Sequence, residues 1–273
     1  MMGKKLGIVL SGGGARGAYQ IGAFKALKEA GLVDNVYAYS GASVGSLNAV
    51  MLAAGDLDKA ASIWRALDRD SLFTVDRGFF QRLWEARGNL IHEGYYKTDA
   101  LETLIESTID YEAIRQNRIH VATTRVAEED ASIFELLSTN IRNWFDKEDH
   151  IIYQRLDSLD RATIKQSLLA SCAIPIVFKP IVIDQQTYYD GGVLDRTPVQ
   201  PLIDDGCDEI IMIDLFRFRR RNRVKDDNIA FHVIKPSKAL GGILDFSNAL
   251  IERRLTTGYN DGKAFVEKYK SGQ

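Results

Sequence analysis

Three times along this chain an apolar run stops at a glycine-bearing turn, and after the first two a helical pattern follows at once. Ile8-Val9-Leu10 leads into Gly12-Gly13-Gly14-Ala15-Arg16-Gly17, the run ending at Ser40 leads into Gly41-Ala42-Ser43-Val44-Gly45, and an apolar-aromatic run leads into Asp190-Gly191-Gly192. Short apolar runs bounded by glycines are buried strands, and a buried strand joined by a tight turn to a helix is the unit of a mostly parallel sheet covered on both faces. The pattern predicts an α/β fold.

Further strands are expected at Val36–Ser40, Glu209–Leu215 and Ile229–Ile234, with two short ones inside Ile181–Tyr189 around Asp184-Gln185-Gln186. Arg118–Val126 and Ser132–Ser138 flank Ala127-Glu128-Glu129-Asp130, which predicts an antiparallel hairpin. Helices are expected from Gly17 to Ala30 with a stop at Gly31, from Val44 to Ala54, from Asp56 to Leu67, and from Thr98 or Asp99 to Thr108. Later helices are expected at Leu159–Ala170, Val199–Asp205 and Asn248–Lys270. The Val44–Ala54 stretch is apolar all round and must run through the core. No repeat, low-complexity segment or linker interrupts the pattern, so one domain over residues 1–273 is expected.

Composition narrows the function classes. Hydrophobic residues make up 45% and charged residues 26%, as in an ordinary soluble globular chain, and the net charge of −2 argues against a protein that coats nucleic acid. Leu6 to Leu10 is too short for a signal-peptide core, and no run approaches the roughly 18 apolar residues of a membrane span. A cytoplasmic protein is expected. Cys172 and Cys207 show no CxxC spacing, and His92, His120, His150 and His232 form no ligand pair. Neither a metal nor an organic cofactor is expected.

Ser43 between Gly41 and Gly45, at a strand-to-helix junction, has the setting of a nucleophile elbow, where a sharp turn exposes the hydroxyl at the helix's positive end. The first glycine run has several readings. Gly12, Gly14 and Gly17 satisfy the dinucleotide fingerprint, but the second strand ends Tyr37-Ala38-Tyr39-Ser40 without the acid that would hold a ribose. A phosphate-cradling P-loop needs Gly-Lys-Ser/Thr, and the chain has Gly17-Ala18-Tyr19. An oxyanion hole at Gly12, Gly13 and Gly14, with Arg16 shaping the loop or meeting a phosphate, is the third reading. A plain turn is the fourth.

A serine nucleophile needs a base. His232 is the one histidine late enough for a Ser…Asp…His order, yet it lies inside an expected strand. Asp190 precedes Gly191 and Gly192, which let its carboxylate turn toward a pocket. A carboxylate of pKa about 3.9 serves as a base only when desolvated and bonded directly to the hydroxyl. A Ser-Asp pair without imidazole is expected to show no acid limb near the histidine value of about 6.5. A non-catalytic lipid- or nucleotide-binding module that keeps the glycine loop is the alternative of another class.

Together these motifs resemble those of the patatin-like phospholipases, in the same order. Ala170-Ser171-Cys172-Ala173-Ile174-Pro175, followed by Phe178 and Pro180, is similar to that family's Ala-Ser-x-Ala-x-Pro segment. The resemblance spans Lys4 to Pro201, and the chain's length suits the small bacterial members. It implies a three-layer α/β/α sandwich, a Ser43–Asp190 dyad without histidine, and hydrolysis of lipid or fatty-acyl esters through an acyl-enzyme. Arg196-Thr197-Pro198 departs from the family's usual lead into proline, which bears on pocket shape.

Two stretches bear on substrate and partner. Aromatics from Phe73 to Tyr96 suit a lid or a lipid-contacting surface, or simple core packing. Arg217, Arg219, Arg220, Arg221, Arg223 and Lys225, interleaved with Phe216 and Phe218 and offset by Asp226 and Asp227, suit transient contact with an anionic membrane surface. Nothing in the sequence specifies an oligomeric state.

Overall fold

A computed structural model describes residues 4–67, 99–126, 150–174, 178–218 and 228–272. β1 (Leu6–Leu10) passes through a 3-10 turn at Gly14–Gly17 into α1 (Ala18–Glu29). β2 (Val36–Ala42), α2 (Val44–Ala53) and α3 (Leu57–Ala66) follow. Then come α4 (Asp99–Thr108), α5 (Tyr111–Gln116), β3 (Arg118–Val126) and β4 (Ile151–Arg155). After α6 (Arg161–Cys172) the chain forms β5 (Ile181–Ile183), β6 (Gln186–Asp190) and α7 (Gln200–Asp204). β7 (Glu209–Ile213), β8 (Ala230–Ile234) and the long α8 (Asn248–Ser271) complete the described elements.

The strands make one eight-stranded sheet in the order β5-β6-β3-β2-β1-β7-β8, with β4 also on β3. β3, β2, β1, β7 and β8 run parallel, while β4 and β6 lie antiparallel to β3. All five residues of β1 are buried, because helices cover both faces and alternation would leave a polar side chain in the core. Ile8 and Leu10 join a core with Ile21 and Leu27 of α1, Val50 of α2 and Ile251 of α8. Val9 points the other way, onto Leu202 of α7 with Ile210 and Met212. The result is a three-layer α/β/α sandwich on a mostly parallel sheet. No described helix is long and apolar enough to cross a membrane.

The edges of β3 decide where the chemistry falls. Ala122 pairs with both Ala42 of β2 and Tyr153 of β4, and Thr123 pairs with both Asp190 of β6 and Ile152 of β4. A strand has only two edges, so β2 and β6 must share the edge opposite β4. They run in opposite directions along it and meet tip to tip.

Several boundaries differ from expectation for local reasons. α5 was not anticipated: six residues carry too little periodicity, and the helix is instead started by Asp110, whose carboxylate accepts the N–H groups of Glu112 and Ala113. α6 begins at Arg161 rather than Leu159 because Asp160 caps it in the same way. β4 was also missed, since Ile151-Ile152-Tyr153-Gln154-Arg155 alternates poorly. In the β5–β6 hairpin Asp184 and Gln185 both take positive φ, 48° and 64°, the twist a two-residue turn needs. The expected strand at residues 132–138, the aromatic stretch at 69–96, and Arg219, Arg220, Arg221, Arg223 and Lys225 lie outside the described residues.

Candidate active site

The register of β3 places Ala42, at the tip of β2, and Asp190, at the end of β6, on adjacent rungs, and Ser43 follows Ala42 directly. The Ser43 hydroxyl lies near enough to the Asp190 carboxylate to draw its pKa down. Ser43 adopts φ 53° and ψ −133°, a conformation that costs a non-glycine residue about 1–3 kcal/mol and is held only where surroundings dictate it. Here they do: Gly41 lies against Gly45, and Gly45 against the Leu10 carbonyl, so tightly that a side chain at either would collide with backbone. The Ser43 N–H donates to Ser171 Oγ at 3.0 Å, Ser171 Oγ donates to the Ala122 carbonyl at 2.8 Å, and Ser46 Oγ donates to the Ser43 carbonyl at 2.6 Å. Ser171 therefore fastens the turn to β3.

Asp190 is 4% exposed. Its Oδ1 accepts the Gly192 N–H at 2.7 Å, its own N–H donates to the Ala173 carbonyl at 3.0 Å, and Gly191 starts a 3-10 turn packed on Ala122. Burial pushes the carboxyl up from 3.8 to about 6, against the opposing pull of the Ser43 hydroxyl, the Gly192 N–H and the Arg196 charge. This corrects the expected absence of an acid limb: a desolvated carboxylate of this kind titrates close to histidine.

The glycine loop divides its donors. Gly12 donates its N–H to the Arg196 carbonyl at 2.9 Å, and Ala15 donates to the Ile243 carbonyl at 2.7 Å. The N–H groups of Gly13 and Gly14 have no acceptor among the described residues. Gly12 serves by its size, since a side chain there would press on Ser43 Cβ and the Ala42 carbonyl. Arg16 turns away from Ser43; its Nε donates to the Gly241 carbonyl at 2.9 Å and its guanidinium stacks on Phe216.

Ser43 and Gly14 open onto an apolar cavity of about 70 Å³, a slot walled by Leu47, Met51, Trp64, Leu101, Ile174 and Phe246. Its walls offer a ligand hydrocarbon contact rather than hydrogen bonds. Cys172 also lines it, and burial together with Asp190 pushes its thiol up, so it stays protonated.

Two buried networks brace the site, and neither was singled out from the sequence. Trp64 Nε1 donates to Asn48 Oδ1, Asn48 Nδ2 donates to Gln20 Oε1 and to the Gly17 carbonyl, and Gln20 Nε2 donates to the Ser11 and Ile213 carbonyls. A wall of the slot is thereby tied to the end of the glycine loop. Arg254 of α8, 0% exposed, donates to the carbonyls of Ala15, Leu240, Gly242 and Asp245. Desolvation pushes its guanidinium down to about 10. The one available signal was an arginine on the inward face of an amphipathic helix. Ser171 lay within a block noted for its resemblance, without a role.

His232 does not join the site. Its Nε2 pairs with Glu209 at 2.9 Å and its ring packs on Phe265 and Tyr269. β8 lies three strands from β2, roughly 14 Å at about 4.8 Å per strand, and His232 pairs at the level of Ile211, below the tips. The triad reading with His232 is thus incompatible with the sheet.

The model of the patatin-like phospholipase family matches residues 8–203. The chain is 28% identical over 214 residues to the uncharacterized protein R571 of Acanthamoeba polyphaga mimivirus, covering 76% of this chain and 64% of that one. It is also 28% identical over 193 residues to the probable lipid hydrolase 463L of Invertebrate iridescent virus 6, covering 70% and 61%. It therefore spans less than two thirds of the length of these relatives. Human GIVD cytosolic phospholipase A2 shares the fold at a TM-score of 0.56 and 10% identity, with 98% of this chain and 60% of that one covered. On the family match, the chain belongs to the patatin-like phospholipases.

Proposed function

We propose that this chain hydrolyses acyl esters of lipids through a Ser43–Asp190 dyad and a covalent acyl-enzyme. The observation that carries the reading is the meeting of Ser43 and a buried carboxylate, brought together by the register of β3 beside an apolar slot. Asp190 takes the Ser43 proton as Oγ attacks the ester carbonyl. The oxyanion that forms accepts hydrogen bonds from the Gly13 and Gly14 N–H groups, aided by the α2 N-terminus. Collapse breaks the ester bond, and the departing alcohol takes the proton from Asp190. Water then repeats the sequence, releasing the fatty acid and restoring Ser43.

Burial suits Asp190 to this work, because a base whose pKa lies near the working pH is both deprotonated and strong enough. The slot excludes water from the acyl chain while leaving the ester at its mouth. An organophosphonate probe tests the reading: wild type is expected to be labelled once, at Ser43, and Ser43→Ala not at all. Labelling that survives Ser43→Ala would place the nucleophile elsewhere and overturn the dyad, and no labelling with no ester turnover would favour the non-catalytic module instead.

A further inference from the structure

The glycine loop leans on a segment that has neither strand nor helix of its own. That segment joins β8 to α8, and from 240 to 243 its successive carbonyls turn to opposite sides. Those of Leu240 and Gly242 accept from Arg254, at 2.8 and 2.9 Å, while those of Gly241 and Ile243 accept from Arg16 Nε and the Ala15 N–H, at 2.9 and 2.7 Å. One side of the segment is held by α8, and the other holds the loop.

Ile243 does more than bond Ala15. Gly14 takes φ 55° and lies so close on the Ile243 carbonyl that any side chain there would collide with it. The place of that carbonyl thus sets where Gly14 sits. Arg254 also reaches the loop directly, since its Nη1 donates to the Ala15 carbonyl at 2.9 Å as well as to the Asp245 carbonyl at 2.6 Å. With Gly12 held by Arg196, the N–H groups of Gly13 and Gly14 lie between bonded neighbours on both sides.

Arg254 can serve as a fixed point because α8 cannot slide on α1. Gly22 of α1 rests on the Leu255 carbonyl, next to Arg254, and Gly258 rests on the Tyr19 carbonyl, with no room for a side chain at either glycine. α1 is the helix into which the glycine loop runs. Guanidinium and loop therefore share one frame.

We propose that Arg254 is a positioning residue for ester hydrolysis: by gathering segment 240–245 it aims the Gly13 and Gly14 N–H groups at the ester oxygen. It lies well past residue 203, where the family match ends. The catalytic half of the assignment rests on the hydrolase reading; the clamp itself does not. A planar guanidinium suits the task, because a lysine ammonium has three donors on one nitrogen and cannot span four carbonyls.

The test compares a p-nitrophenyl ester with its thionoester, whose sulfur is a weak acceptor, so that the preference for oxygen reports how well the two N–H groups are aimed. Wild type is expected to favour the ester by about 10²-fold or more in kcat/KM. In Arg254→Met the preference is expected to fall to about tenfold, through kcat and with KM within about twofold. Arg254→Lys keeps the charge, guards against a Met variant that fails to fold, and should lie between. Val266→Ala opens a cavity about three turns further along α8 and supplies a destabilised control that should keep the wild-type preference. A wild-type preference in either Arg254 variant, or an equal fall in Val266→Ala, would overturn the proposal. A second readout needs no turnover. In protein labelled at its glycine nitrogens, the Gly13 and Gly14 amide resonances are expected to move in both Arg254 variants and to stay in Val266→Ala. Resonances unmoved in a folded Arg254 variant would refute the clamp. Wild type that turns over neither ester would strike the hydrolase reading and leave the amide resonances to decide the clamp.

Discussion

The two ends of the sheet treat buried carboxylates in opposite ways. At the end where the parallel strands begin, Glu209 is met by His232 at 2.9 Å, Tyr269 at 2.8 Å and Lys4 at 3.6 Å, and His120 pairs with Asp205 at 2.8 Å. At the end where they finish, Asp190 Oδ1 accepts one backbone N–H, and burial outweighs the pull of the Ser43 hydroxyl and the Arg196 charge on its pKa. A carboxylate met by several donors fastens elements together. One left with so little support in a dry site is ready to accept a proton. The contrast teaches that function here is read from what a buried group lacks, more than from its residue type.

The sharpest way to break the contrast is to remove the acceptor's partner. Ser43→Ala is expected to lower p-nitrophenyl ester turnover by about 10³-fold or more, since a nucleophile acts as one unit with its base. Turnover within tenfold of wild type would dissolve the distinction between the two ends.

Asp190→Asn keeps the shape of the side chain, and loses about 10²–10⁴-fold in rate if the carboxylate is the base. Stability should move the other way. Because folding raises the Asp190 pKa from 3.8 to about 6, the folded state binds a proton more readily than the unfolded chain. That contribution is fully present below 3.8 and is lost as pH rises through about 6. At pH 8 the Asn variant is then expected to be more stable by on the order of 2–3 kcal/mol, measured by denaturant unfolding. A less stable Asn variant would contradict the claim that burial dominates. The same titration predicts that kcat/KM falls as pH drops below about 6, because protonated Asp190 cannot accept. His232→Ala should leave that limb in place, and its disappearance there would return the base role to histidine.

Arg254→Met leaves four carbonyls without their donor, and a cost of about 3–5 kcal/mol is expected in thermal or denaturant unfolding. A change below about 1 kcal/mol would mean that segment 240–246 holds its own shape. Ser171→Ala unties the elbow from β3 at one point; about tenfold lower kcat with little change in KM is expected. The smallest effect belongs to the other end of the sheet. His232→Ala should leave turnover within about twofold while costing about 1–3 kcal/mol, because Glu209 loses a partner.

Much of this contrast was legible in the residues, though unevenly. Gly41 and Gly45 pointed to the elbow because glycine on both sides of a serine is what a strand running straight into a helix requires. Asp190 was legible by its following glycines, but its environment was not, since desolvation depends on Ala173, Thr124 and Ser43 arriving from elsewhere in the chain. Gly12 looked like a donor and turned out to be a spacer, because sequence does not tell which carbonyl reaches an N–H. Arg16 had two readings, shaping the loop or meeting a phosphate, and its bond to the Gly241 carbonyl fits the first. Arg254 and the Trp64–Asn48–Gln20 chain escaped notice for the same reason: each joins residues far apart in number, and a lone arginine or asparagine on a helix carries no local mark. β4 and α5 were missed because five or six residues are too few to show a period.

One consequence follows from β2 and β6 lying end to end on a single neighbour. The gap between serine and aspartate is measured out by consecutive peptide units of β3, a ruler as stiff as a hydrogen-bonded ladder can be. β3 itself lies in the chain between the two residues, but the loops on either side of it do not set that spacing, so insertions in those loops would alter the walls of the cavity while the pair kept its distance. A scaffold arranged in this way can change what it admits without relearning how to react.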